Sequence, residues 1–286
     1  MSVKFGPAGN SKSFFEKGYK HALDVPDYLN EMGLDAFEYQ CGRGVNIGEE
    51  KARQLGEKAA KSGISLSLHA PYYISMSSID EEKRLNSINY ILASARAADA
   101  MGADRIIVHT GSCGKISREE ALKLAKDTMK LSLEALDREN LGHIHICPET
   151  MGKVNQLGTL DEVLSLCELD KRLIPCIDFG HLNARDLGFF KSFSDYESVF
   201  CAIGERLGEE RLKSFHSHFS KIEYTAGGER RHLTFADTVY GPDFEPVMEL
   251  AGKYCESTRF ICESDGTQAE DAKTMKEYYN SKKSEK

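Results

Sequence analysis

Short β-rich runs alternate with longer amphipathic stretches along the whole chain, and from the third run onward each run closes on or beside a histidine or a carboxylate. The runs are VKFGP from Val3, DAFEYQ from Asp35, ISLSLHAPY from Ile64 and RIIVHTGS from Arg105. They continue with HIHICPET from His143, LIPCIDFGH from Leu173, LKSFHSHFS from Leu212 and RFICES from Arg259. Between them, stretches such as GEEKARQLGEKAAKSG and SREEALKLAKDTMKLSLEALDREN carry Ala, Leu, Glu and Lys at helical spacing and stop near a glycine. Strands that alternate with helices this regularly pair in parallel and close on themselves. The expectation is an α/β protein: a single (β/α)8 TIM barrel over residues 1–286, with a metal site at its C-terminal rim and a frayed charged tail over 280–286.

Period-2 reading sorts each run into two faces. In ISLSLH, Ile64, Leu66 and Leu68 suit packing against outer helices, whereas Ser65, Ser67 and His69 face the interior. In RIIVHTG, His109 shares a face with Ile107; Asp178 aligns with Cys176 and Ile174; Glu263 aligns with Ile261. The inward polar residue comes last in each case, which places it at the rim where barrels of this kind build their sites.

His69, His109, Glu149, Asp178, His181, His218 and Glu263 therefore converge from six strands onto one face. A lone histidine at a strand end is usually a hydrogen-bonded structural residue. Many uncompensated imidazoles and carboxylates together are costly to desolvate, and divalent ions satisfy them. Mixed nitrogen and oxygen donors suit zinc, manganese or iron. Other histidines read differently: His145 as a deeper hydrogen-bonded residue, His143 at the closed end of its strand, His21 at the surface, and His216 as a partner behind the ligand His218.

The eight cysteines are scattered singly with no CxxC pair and no secretory leader, and no apolar stretch reaches the about 20 residues of a membrane helix. These features predict reduced thiols in a soluble, cytoplasmic protein with no membrane partner. A formal net charge of -8 supplies no bulk attraction to nucleic acid, although bound cations reverse the field locally. The connection from Ser220 to about Asp243 exceeds the usual 2–6 residues of a βα loop, which marks it as functional.

LHAPYYI around His69, IIVHTGS around His109, CPETMGK around Glu149, CIDFGHLNAR around Asp178 and His181, SHFSK around His218 and FICESDG around Glu263 resemble the strand-end motifs of endonuclease IV, within the xylose-isomerase-like barrels. The resemblance spans nearly the whole chain. It implies three zinc ions in the barrel mouth and cleavage of DNA 5′ to abasic sites, leaving a 3′-hydroxyl. By the same resemblance His69 and His109 hold one metal, Asp178, His218 and Glu263 a second, and Glu149 bridges them. His181 and His232 hold a third, Tyr72 lies beside the phosphate, and Glu149 positions the nucleophile as the catalytic residue.

One motif departs. The family places Asp-x-His where this chain reads Arg230-Arg231-His232. Either Glu229 replaces the missing ligand through a shifted loop, or the third metal is absent and Arg230 contacts a phosphate oxygen; two or three Zn2+ ions, with Mn2+ or Fe2+ as alternatives, remain open. Arg43, Arg185, Arg230 and Arg231, with Tyr72 and Asn183, are the rim candidates for contacting DNA with abasic sites. Two other functions stay in view. One is a sugar isomerase or epimerase that uses one metal with Glu149 and Glu263 as acid and base on a small sugar or sugar phosphate; the other is a catalytically silent metal- or nucleic-acid-binding barrel.

Overall fold

The computed structural model describes residues 2–284. Its strands are β1 (Lys4–Pro7), β2 (Ala36–Gln40), β3 (Ser65–His69), β4 (Arg105–Val108), β5 (His145–Pro148), β6 (Cys176–Asp178), β7 (His216–Phe219), β8 (Lys221–Thr225), β9 (Gly228–Leu233) and β10 (Arg259–Cys262). Two parallel sheets, β1-β10-β7-β6 and β2-β3-β4-β5, are joined by parallel bridges at Ala8–Glu38 and Glu149–Cys176. Their union is a closed eight-stranded barrel. The outward residues Leu66, Leu68, Ile106, Val108, Ile146 and Ile177 are fully or almost fully buried in one core with residues of the surrounding helices, among them Leu55, Ile91, Ala95 and Met129.

Helix starts follow the sequence closely. Ser117 and Glu120 form a capping box ahead of Arg118–Arg138, and Thr159 and Glu162 form another ahead of Leu160–Cys167. Each box satisfies amides that the first turn leaves without partners. The last helix runs Gln268–Ser284, so the tail expected to fray from 280 is helical through Ser284, and residues 285 and 286 lie outside the described part. Strand limits differ at two places that matter. The segment Glu209–Ser214 is helix, so β7 begins only at His216, and β6 ends at Asp178, which caps the helix Phe179–Arg185 that carries His181.

The floor of the barrel is closed by ions. Arg259 donates to both Asp104 oxygens at 2.7 and 2.9 Å, and Arg105 joins them at 3.1 Å. All eight cysteines are free thiols, and no helix among the described residues is long and apolar enough to cross a membrane. The long connection after β7 is an antiparallel hairpin, β8–β9, which docks over the rim. Gly228, at φ +87°, sits where a Cβ would lie 2.2 Å from the Gly152 carbonyl, and a Cβ on Gly152 would collide with Glu229. These two glycines let the hairpin close onto the loop after β5.

Candidate metal centre

The rim places its donors in three groups, each with ligand atoms within 4.8 Å of one another: His69, His109 and Glu149; Glu149, Asp178, His218 and Glu263; and His181, Glu229 and His232. Glu149 belongs to two of them. Its Oε2 lies 3.3 Å from His69 Nε2 and 3.2 Å from His109 Nε2, while its Oε1 lies 2.9 Å from His218 Nδ1. Glu263 Oε2 stands 3.6 Å from the same His218 nitrogen. A cavity of about 430 Å³ opens over the groups, lined also by Tyr72, Met151, Lys153 and Gln156.

Three of the imidazoles are held through Nδ1. His69 Nδ1 donates to the Ala70 carbonyl at 2.9 Å, and His181 Nδ1 to the Thr150 carbonyl at 2.9 Å, which leaves Nε2 lone pairs toward the cavity. His232 Nδ1 pairs with the Ser220 hydroxyl at 2.8 Å. Thr150 also fixes Asp178 by accepting its backbone N–H at 2.8 Å, and Asp178 Oδ1 in turn caps His181 N at 2.8 Å. The other Asp178 oxygen, Oδ2, is fully buried and accepts no well-aligned hydrogen bond, with His181 Nδ1 3.2 Å away as its only ion-pair neighbour among the described residues. An orphaned carboxylate oxygen beside Glu149, His218 and Glu263 is what a cation would satisfy, so the residues present fit a divalent metal.

Burial pushes the Asp178 carboxyl up to about 6; the neighbouring Glu263 and Glu149 add to this, and His181 opposes it. Burial also works against the charge of Glu149, yet His218, with contacts from His109 and His181, holds its carboxyl well below the usual carboxylate range. Burial would lower His181 and His218. The surrounding carboxylates, and for His218 also Cys176, raise both well above the ordinary imidazole value.

The hairpin resolves the departure in the last motif. Glu223 pairs with Arg231 and Tyr224 with Glu229, so Arg230 is an extra residue in a β-bulge. Spacing across the bulge puts Glu229 and His232 on one face, and Glu229 Oε2 reaches 3.5 Å from His181 Nε2. Arg230 points the other way, onto Glu223, and does not line the cavity. A contact of Arg230 with a phosphate would require it to leave Glu223. Tyr72 stays at the cavity mouth, its ring 5.7 Å from that of His69 and 5.3 Å from that of His109.

Two rim candidates prove structural. Arg185 is buried and donates to the carbonyls of Met151, Lys153, Val154 and Gln156, clamping the loop after β5, and Asn183 is buried with Oδ1 accepting from Phe190 N. Arg43 is exposed. His145 bonds the Arg172 carbonyl at 3.1 Å, His143 meets Asp99 at 2.8 Å on the exposed outer surface, and His21 is exposed. Sequence reasoning missed Glu38, which is fully buried below the groups and 2.9 Å from His216 Nε2. The signal was available: in DAFEYQ, Glu38 shares its period-2 face with Ala36 and Gln40.

The chain belongs to the xylose isomerase-like TIM barrel family, whose pattern matches residues 26–280. Within that class, an uncharacterised protein of Methanocaldococcus jannaschii is 35% identical over 260 residues, covering 91% of each chain. A probable endonuclease 4 of Mycoplasma pneumoniae is 29% identical over 199 residues, covering 68% of this chain and 66% of its own length. Among solved structures, a D-tagatose 3-epimerase-like protein aligns with TM-score 0.72 at 20% identity over 99% of both chains. Endonuclease IV from Thermus thermophilus aligns with TM-score 0.66 at 18% identity, covering 97% of this chain and 99% of its own. At such identities the structural likenesses speak to the fold.

Proposed function

We propose that the chain is a metal-dependent phosphodiester hydrolase of the endonuclease IV type, acting on DNA at abasic sites. The observation that carries this reading is the third donor group, His181, Glu229 and His232, completed by the bulge at Arg230. A one-metal sugar enzyme has no need of it. Divalent ions, zinc by the donor chemistry, would supply Lewis acidity to a phosphoryl oxygen and lower the pKa of an attacking water. His69, His109 and Glu149 would hold the first; Glu149, Asp178, His218 and Glu263 the second; His181, Glu229 and His232 the third. Glu149, at the meeting point of the first two groups, orients the nucleophile. The Tyr72 hydroxyl at the mouth and the Lys153 ammonium in the wall offer donors to phosphate oxygens, and the hairpin contributes Glu229 and His232 to the same cavity.

A second reading, sugar isomerisation or epimerisation, draws support from Glu149 and Glu263 both lying beside His218 under a cavity within the usual range for small-molecule sites. Zinc-loaded protein offered a duplex with one abasic-site analogue is expected to incise it 5′ to the lesion and leave a 3′-hydroxyl. Absence of incision together with hydrogen exchange on ketoses would replace the nuclease reading by the sugar one, and inertness toward both with metal bound would leave a silent binder.

The bulge yields its own expectation. Glu229→Gln should lower tightly bound zinc by one equivalent, whereas Arg230→Ala should leave zinc content unchanged, as read by elemental analysis. The reverse pattern would remove Glu229 from the ligand set.

A further inference from the structure

His218 meets the cluster in the opposite sense to its neighbours. His69 and His181 turn Nε2 toward the cavity and give Nδ1 to backbone carbonyls, but His218 turns Nδ1 toward Glu149 and Glu263 and sends Nε2 down into the barrel. No backbone carbonyl accepts from it there. What waits below is Glu38, a carboxylate on β2 that reaches across the interior to β7, with Oε1 3.0 Å from His218 Nε2 in a bent contact.

We propose that Glu38 is the positioning residue for His218: by accepting the Nε2 proton it fixes the tautomer whose Nδ1 lone pair faces the metal group. This inference rests on the metal reading above.

The surroundings of Glu38 define what it can do. Ser67 Oγ donates to Oε2 at 3.0 Å, His216 Nε2 to Oε2 at 2.9 Å, and Gln40 Nε2 to Oε1 at 3.2 Å. Those three donate to Glu38; His218 Nε2, 3.0 Å from Oε1 and without a well-aligned partner, is left facing the remaining acceptor capacity of an ionised carboxylate, which can only accept. A buried acceptor facing Nε2 demands a proton on that nitrogen, and a neutral imidazole then carries its lone pair on Nδ1. Cys176 also lies near His218, but burial raises its thiol well above the ordinary value, and a neutral sulfur is a weak acceptor beside a carboxylate. His216 packs edge-on against His218 with ring centroids 5.3 Å apart, which restricts rotation of the His218 ring away from Glu38.

The substitution Glu38→Gln separates this role from filling space. The amide keeps the shape but replaces one acceptor oxygen by an NH2 donor, so it cannot accept from both imidazoles. Zn2+ titration against a chelating dye should show affinity at the His218-bearing group falling about 10–100-fold. Binding at the His181, Glu229 and His232 group should stay within twofold. In the native zinc-loaded protein, long-range ¹H–¹⁵N correlation should show His218 protonated at Nε2 and ligated through Nδ1. Native protein that binds zinc with His218 ligated through Nε2, or a folded Glu38→Gln variant with unchanged affinity, overturns the role of Glu38 and leaves the metal reading intact. Native protein that binds no zinc overturns both. If the variant does not fold, the native spectrum alone decides.

Discussion

Glu149→Gln is expected to reduce metal-dependent turnover by at least about 10²–10³-fold, in line with the loss of a group that organises charge in a reacting site. Glu149 is fully buried and contacts His69, His109 and His218 through its two oxygens. Glutamine preserves volume and one acceptor but removes the negative charge shared by two donor groups. Both groups lose affinity together, so zinc content should fall by two equivalents while the His181, Glu229 and His232 group keeps its own. Elemental analysis alongside the incision assay checks this. A variant with full zinc content and native turnover would remove Glu149 from the centre.

Acidification is the second large effect. Ligands must be deprotonated to bind a metal, so protons and metal compete, and affinity falls about tenfold per pH unit for each proton taken up. The Asp178 carboxyl at about 6, and His181 and His218 raised well above their ordinary value, place this competition near neutrality. Zinc release to a dye should therefore steepen as pH falls from 8 toward 5.

The metal-free protein should respond in the opposite direction. A carboxyl whose folded pKa is raised carries no penalty below its unfolded value and the full penalty above its folded one, so Asp178 costs stability as pH rises from about 4 to 6. Histidines with raised pKa contribute stability below their unfolded value and lose it as pH rises through the folded one, which adds to the trend for His181 and His218. Glu149, held low, contributes above its unfolded value and loses its contribution only in stronger acid. His216, pushed down to about 4 by burial, and His109, also lowered by burial, oppose this trend below about pH 6.5, so melting temperatures between pH 8 and about 6.5 should rise for the metal-free protein and fall for the zinc-loaded one. Parallel slopes for the two forms would show that these groups are not the metal ligands.

Most of the rim was legible because its chemistry repeats with the strand period. A polar residue that ends an alternating run must face the interior at the rim, and in this way His69, His109, Glu149 and Asp178 come together from the sequence alone. Eight βα units likewise determine the barrel, since parallel strands with amphipathic crossovers have few ways to bury both faces.

Period-2 reasoning breaks where the backbone leaves the ideal strand. Arg230 occupies the expected ligand position by count, but a single bulged residue rotates it onto Glu223 and brings Glu229 to the cavity. Arg185 looked like a rim cation because its charge was visible and its burial was not; four carbonyls of the loop after β5 claim it. Glu38 lies mid-run in a strand whose end carries no histidine, and it acquires meaning only when closure of the barrel sets β2 opposite β7. The sequence by itself determined the barrel and the donors at its strand ends. The tertiary structure decided which nitrogen each imidazole presents and which charges are already taken, because those depend on contacts between strands far apart in the chain.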